Sequence, residues 1–150
     1  MIVCSWNVRG LGGRVKKQKL RQLIFRQKVE VMAVQETKLE VVDHKFCARL
    51  WGGDLVGWRC APAIGRSGGI LTLWDSTKGS CVSSFHGQGY LGVCLEWGLK
   101  KTMCLIVNVY APCNSLSKKA LWVDILVALR AYPADFYCIL GDFNSIREKD

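Results

Sequence analysis

Phe136-Tyr137-Cys138-Ile139-Leu140-Gly141-Asp142-Phe143-Asn144 is the stretch whose reading decides the fold. Its five leading apolar residues predict a short buried strand, and Gly141 lets the backbone turn sharply as it leaves the sheet. Asp142 and Asn144 follow two positions apart, so in extended backbone their side chains project to one side. An acid and an amide at a strand end can build a polar site. The same tripeptide also reads as a turn that satisfies its own backbone. Other strands ending on polar residues would favour the site.

Working back from this stretch, Met103–Tyr110 reads as a strand closed by Ala111-Pro112. Leu116–Leu129 reads as a helix with Leu121, Ile125, Leu126 and Leu129 on one face. The head of the chain has the same plan. Ile2–Val8 predicts a strand carrying Asn7 at its end, and Arg9-Gly10-Leu11-Gly12-Gly13 a glycine-rich turn that fits neither dinucleotide-binding nor P-loop spacing. Val15–Lys28 predicts an amphipathic helix with Leu20, Leu23 and Ile24 inward, and Val29–Gln35 a second strand that delivers Gln35-Glu36-Thr37-Lys38. A strand–helix–strand unit of about thirty residues is the length of a right-handed crossover between parallel neighbours. Asn7 and Glu36 then emerge from one edge of the sheet, the edge where open α/β sheets bind ligands. Tyr110 and Asp142 take the matching places in the tail. Between head and tail, Val41–Leu50 reads as a helix. The period then changes to two, giving strands at Leu55–Cys60, Gly69–Trp74, Cys81–Phe85, Tyr90–Trp97 and Met103–Tyr110. No linker or low-complexity segment divides residues 1–150, which read as one domain.

Composition narrows the function. The 150 residues are 50% hydrophobic with mean hydropathy +0.14, which excludes disorder. No apolar run is long enough to span a bilayer, and the opening residues lack the pattern of a signal peptide. Eight cysteines occur without a Cys-x-x-Cys pair and with only two histidines, so a zinc site is poorly supported. Most of them fall in apolar strands. They read as reduced structural thiols of an intracellular protein, with no disulfide-linked partner expected. The net charge is +9 with pI about 9.3. Eight cations lie between Arg9 and Lys28, and the first acid after them is Glu30. Such a run is either a solvated helix face or a patch that meets phosphates.

Five motifs stand in order: Ser5-Trp6-Asn7-Val8-Arg9-Gly10-Leu11, Gln35-Glu36-Thr37-Lys38, Arg66-Ser67-Gly68-Gly69-Ile70, Asn108-Val109-Tyr110-Ala111-Pro112 and Gly141-Asp142-Phe143-Asn144. Together they resemble the endonuclease/exonuclease/phosphatase superfamily, which includes deoxyribonuclease I and the apurinic endonucleases. The wording is most similar to the endonuclease domain of plant LINE-type (non-LTR) retrotransposon proteins. The resemblance covers the whole chain and implies an α/β fold of two sheets packed face to face with helices outside, truncated at the C-terminus. It implies Mg²⁺-dependent nicking of DNA phosphodiesters, with Mn²⁺ as a possible substitute, no membrane partner, and a nuclear location set by a DNA substrate without a clear targeting signal.

By the same resemblance, Glu36 matches the carboxylate that binds the metal, and Asn7 the amide beside it that orients its ligands. Tyr110 matches the phenol that donates to a phosphate oxygen. Asp142 matches the carboxylate that aligns or deprotonates the attacking water, and Asn144 the amide that helps hold the phosphate. Arg9, Arg14, Lys16, Lys17 and Lys19 are the implied nucleic-acid contacts. The chain departs from the family pattern in three places. Arg9 stands where the family has an acid, and Cys113 where an Asn follows Tyr-x-Pro. The family's further strands, with a terminal Ser-Asp-His, have no match; Asp43-His44 spells the dipeptide but falls on a helix. The expected activity is therefore impaired. The alternatives are a non-catalytic remnant that at most binds nucleic acid, and a phosphatase-type member of the superfamily.

Overall fold

A computed structural model describes residues 1–145. Its elements run β1 (Val3–Asn7), α1 (Arg14–Arg26), β2 (Val31–Gln35), α2 (His44–Trp51), β3 (Val56–Ala61), β4 (Ile70–Asp75), β5 (Gly79–Gly87), β6 (Tyr90–Trp97), β7 (Thr102–Tyr110), α3 (Ser115–Ala131) and β8 (Phe136–Asp142). The strands form two four-stranded sheets, β1-β2-β4-β3 and β5-β6-β7-β8. β1 and β2 pair in parallel across α1, and β7 and β8 across α3. The remaining pairs are antiparallel, as their short turns require.

Three apolar layers hold four layers of structure together. Leu20 and Ile24 of α1 and Cys47 and Leu50 of α2 pack on the outer face of the first sheet, against Met32, Val34, Leu71 and Leu73. Val31, Ile70, Trp74, Leu91, Val93 and Ile106 fill the space between the sheets. Leu121 and Ile125 of α3 close the outer face of the second sheet over Leu105, Val107 and Val109. All five residues of β2 are buried because both its faces are covered. The architecture is therefore the expected α/β sandwich with helices outside.

The C-terminal stretch differs from its sequence reading. β8 runs on through Gly141 to Asp142, so the chain does not turn at the glycine. Gly141 adopts φ +141°, and a Cβ there would lie 2.0 Å from the Val109 carbonyl oxygen, so glycine allows this close pairing with β7. β8 is also less buried than expected, with Phe136 65% and Tyr137 48% exposed. It lies at the end of its sheet, with no strand beyond it among the described residues. On α3, Leu121, Ile125 and Ala128 are buried while Leu126 faces out at 55% exposure. The inward stripe is thus narrower than the run of apolar residues suggested. Among the described residues no helix is long and apolar enough to cross a membrane.

Candidate active site

Strand direction brings the motifs together. The parallel pairs place the ends of β1 and β2 at one edge of the first sheet, and the ends of β7 and β8 at one edge of the second. Asn7 and Asp142 join these edges: Asn7 Nδ2 donates to Asp142 Oδ2 at 2.7 Å, across 135 residues of sequence. Asp142 Oδ1 accepts the backbone N–H of Asn144 at 2.9 Å. Both carboxylate oxygens are thus fixed by neutral donors, and each keeps a further lone pair for a water or a substrate group. The turn reading of Asp-Phe-Asn is realised through Oδ1, while Oδ2 takes the Asn7 amide from the other sheet.

Asn7 Oδ1 accepts the backbone N–H of Arg9 at 3.0 Å, which sets the amide so that its nitrogen faces Asp142. Asn144, at φ +44°, donates from Nδ2 to the Ala111 carbonyl at 2.6 Å. Lys118 of α3 in turn donates to the Asn144 carbonyl. Tyr110 is the register partner of Asp142 across β7 and β8. Burial pushes its phenol pKa up, and the nearby Glu36 and Asp142 carboxylates add to the rise. The hydroxyl therefore stays protonated at neutral pH and available as a donor.

Glu36 sits at φ +55° immediately after β2, in a segment clamped from both sides. On one side, the N–H groups of Gly10 and Leu11 donate to the Glu36 and Thr37 carbonyls at 2.7 and 2.8 Å. On the other, the N–H groups of Thr37 and Lys38 donate to the Gly69 and Gly68 carbonyls at 3.0 and 2.8 Å. Gly69 is needed for this approach: it has φ +93°, and a Cβ would come within 2.2 Å of Thr37 Oγ1. The Arg66-Ser67-Gly68-Gly69 motif is thus a support for the Glu36 segment. Lys38 Nζ lies 3.5 Å from the Glu36 carboxylate, a half-exposed ion pair that an incoming cation could displace.

Beneath the site lies a buried network that the sequence reading missed. Asn108 is fully buried on β7, two residues before Tyr110. Its Oδ1 accepts from Gln35 Nε2 at 2.7 Å. Its Nδ2 reaches the Leu71 carbonyl and Thr72 Oγ1, both at 3.1 Å. Gln35 Nε2 also donates to Ser5 Oγ at 3.0 Å. Side chains of β1, β2, β4 and β7 are so tied together between the sheets, and no buried side-chain polar atom among the described residues lacks a partner. The available signal was the period of two. Ser5 precedes Asn7, and Asn108 precedes Tyr110, by two positions on the same strand face.

The five expected nucleic-acid contacts separate. Arg9 is exposed at φ +50° at the rim of the site. Lys16 folds back, with Nζ 2.8 Å from the Arg9 carbonyl oxygen. Lys19 is exposed on the outside of α1. Arg14 and Lys17 face α2, where Lys17 stands 5.2 Å above the Phe46 ring. Asp43-His44 is a helix start: Asp43 caps α2 by accepting the Phe46 N–H at 2.8 Å, and His44 is exposed.

The site edge thus gathers a carboxylate at Glu36, an aligned carboxylate at Asp142 and a protonated phenol at Tyr110. The profile of the Endonuclease/Exonuclease/phosphatase family matches residues 4–150. The chain belongs to this family. Solved structures of similar fold include a family member from Bacteroides vulgatus (TM-score 0.73, 12% identity, 95% of this chain and 65% of that one). The apurinic (AP) endonuclease of Leishmania major superposes with TM-score 0.61 at 22% identity, over 93% of this chain and 54% of that one. The human Nocturnin catalytic domain, solved with a bound sulfate, gives TM-score 0.70 at 13% identity, over 95% and 64%. The chain thus spans between half and two thirds of the length of these structures. Comparison with curated proteins gave no match.

The family's divalent metals can be tested against the residues present. Among the described residues no three His, Cys, Asp or Glu groups cluster to hold an ion. Mg²⁺ takes one or two carboxylates and keeps its waters, so it does not require such a cluster. Glu36, accessible and balanced only by Lys38, fits that demand.

Proposed function

We propose that this chain carries the core of a Mg²⁺-dependent endonuclease that nicks DNA, of the kind used by LINE-type retrotransposons. The observation that carries the proposal is the inter-sheet hydrogen bond from Asn7 to Asp142. It fixes a carboxylate beside Tyr110 at the edge where Glu36 also ends. Glu36, with the Asn7 amide beside it, would hold the metal. When bound, the metal would neutralise charge on a phosphodiester oxygen.

The remaining work falls to the chain's own groups. Asp142, held by the Asn7 amide and the Asn144 N–H, aligns a water and takes its proton. The Tyr110 hydroxyl donates to a non-bridging phosphate oxygen, on which charge grows as the water attacks; the bond from phosphorus to the sugar oxygen opposite breaks, and that oxygen takes a proton from solvent. Asn144 and Lys118 hold the loop after β8 against Ala111, keeping Asp142 in register with Tyr110. The net charge of +9 favours a polyanionic substrate over a small neutral phosphoester. The wording of the Asn7 and Tyr110 motifs supports the retrotransposon assignment. A nuclear location follows from a DNA substrate.

The test is nicking of supercoiled plasmid with and without Mg²⁺. It is run on the chain and on the chain extended with the C-terminal strands of a related family member. The extended protein is expected to nick. Asp142→Asn is expected to reduce nicking by about 10²-fold or more while keeping the fold. Glu36→Gln should also abolish the rise in melting temperature that Mg²⁺ produces. An active Asp142→Asn protein, or an unchanged Mg²⁺ shift in Glu36→Gln, would refute these roles. No nicking by any form, together with DNA binding, would favour the non-catalytic remnant.

A further inference from the structure

The cations of α1 acquire a counterpart on α2. The two helices lie side by side on the first sheet. Arg14, Lys17 and Arg21 of α1 face Lys45 and Arg49 of α2 across a shallow groove, with Arg26 at its far end. Three cavities of about 430 to 560 Å³ open along this groove, and Arg21 lines all three. Ion pairs among the described residues involve only Glu30, Glu36 and their partners, so none of the six cations is neutralised by an acid. Asp54 is the one acid on the groove wall. Aromatic rings are interleaved with the charges: Phe46 lies beneath Lys17, and Phe25, beside Arg21 and Arg26, is 83% exposed. Gly52, the left-handed C-cap of α2, has no Cβ to crowd the Arg21 side chain lying against it.

Unpaired cations in a row would normally repel, and an exposed Phe has no folding role. Both are accounted for by a ligand with regularly spaced negative charge and flat apolar groups. We infer that the α1/α2 groove binds single-stranded nucleic acid, separately from the catalytic edge. The exposed Phe25 ring beside Arg21 and Arg26 can stack on a base only where that base is not paired inside a duplex, which favours a single strand. Arg14 to Arg26 spans about 18 Å at 1.5 Å per residue, enough for a site on the order of four nucleotides. Phosphates would meet the guanidinium and ammonium groups, and a base would stack on Phe25. The start of α1 joins the Arg9–Gly13 loop that follows β1, so the groove leads away from the site edge. A strand released or displaced at that edge could run into it.

The test is fluorescence anisotropy with a labelled oligothymidylate and, separately, a duplex of equal length. It is done in EDTA across a range of salt, so that no cleavage chemistry enters. Arg21→Glu with Arg49→Glu is expected to weaken oligothymidylate binding at least tenfold. The slope of log affinity against log salt should fall by about 1.4, two contacts at roughly 0.7 each. Lys100→Glu with Lys101→Glu, in the β6–β7 turn at the opposite edge, makes the same change in net charge and should leave both nearly unchanged. Phe25→Ala should reduce affinity about fivefold with no change in slope. If the reversed arginines impair folding, as circular dichroism would show, Lys17→Ala with Lys45→Ala takes their place. Equal losses in the groove and turn variants, tighter binding of the duplex, or no loss in Phe25→Ala would each overturn the inference. The assay runs without turnover and the nicking test does not use the groove variants, so failure of either leaves the other reading standing.

Discussion

Replacing Asn108 by Leu keeps the side-chain volume close but removes the centre of the inter-sheet network. The lost partners are Gln35 Nε2 at 2.7 Å, the Leu71 carbonyl and Thr72 Oγ1 at 3.1 Å each, and the Val34 carbonyl at a longer 3.4 Å. The three shorter bonds at a net ~1 kcal/mol apiece come to about 3 kcal/mol. A buried Gln35 hydrogen left with one partner fewer adds roughly 1 kcal/mol. The expected loss is about 4 kcal/mol, large beside a typical total stability of roughly 5–15 kcal/mol. In a chain of this size it should lower the melting temperature by about 8–16 °C. Urea unfolding, with an unchanged slope and a lower midpoint, measures it. Gln35→Leu should cost a comparable amount through Ser5 and Asn108. The double variant should cost clearly less than the sum, because the Gln35–Asn108 bond is lost only once and neither of those amides is left stranded by removal of the other. Single costs below about 1 kcal/mol, or strict additivity, would refute the view that this network locks the two sheets.

Three further outcomes follow from the same geometry. Gly69→Ala should destabilise by about 2 kcal/mol or more, read by urea midpoint, because a Cβ meets Thr37 Oγ1 at 2.2 Å and φ is +93°. Glu30, hydrogen-bonded to Lys78 and to the Ile2 N–H, has its pKa lowered mainly by Lys78. Its contribution is present above the ordinary carboxylate value of 4.5 and is lost as pH falls through the folded value, so Glu30→Gln should melt below the parent at pH 7 and converge with it in acid. A thiol reagent should label exposed Cys113 in the native protein, whereas Cys47, buried with its pKa pushed up to about 12, should react only on unfolding.

The elements were legible because their periods are clean. β6 spans Tyr90–Trp97 as read, and α1, α2, β2 and β7 differ from the reading by at most three residues at either end. The parallel pairing of β1 with β2 was legible from the crossover length, and it brought Asn7 and Glu36 to one edge. The exposure of β8 was not legible: five apolar residues look alike whether the strand is flanked or terminal, since burial depends on neighbours distant in sequence. Gly141 was misread for a related reason. A glycine that ends a strand and one that permits close pairing carry the same letter, and only Val109 across the ladder distinguishes them. The basic groove was half legible. The run in α1 was plain, but Lys45 and Arg49 became relevant only once α2 was placed beside it.

Polar character rises along the space between the sheets. At its far end Val3, Val31 and Ile106 pack without polar groups. One step nearer the edge come buried Gln35, Thr72 and Asn108, mutually bonded and joined to the exposed Ser5. At the mouth stand Asn7, Glu36, Tyr110 and Asp142. The site therefore belongs to neither sheet. Asn7 and Glu36 come from one, Tyr110 and Asp142 from the other, and the Asn7–Asp142 bond exists only while the sheets keep their spacing and register. An apolar core alone would leave that spacing soft, because hydrophobic contact is non-directional. Directional bonds from Asn108 to β2 and β4 constrain it, two residues behind the groups that need it. An Asn108→Asp change would set a buried carboxylate against the Leu71 carbonyl and should lower the urea midpoint at least as far as Asn108→Leu does. The two amides are supports of the site at the same time as they are parts of the core.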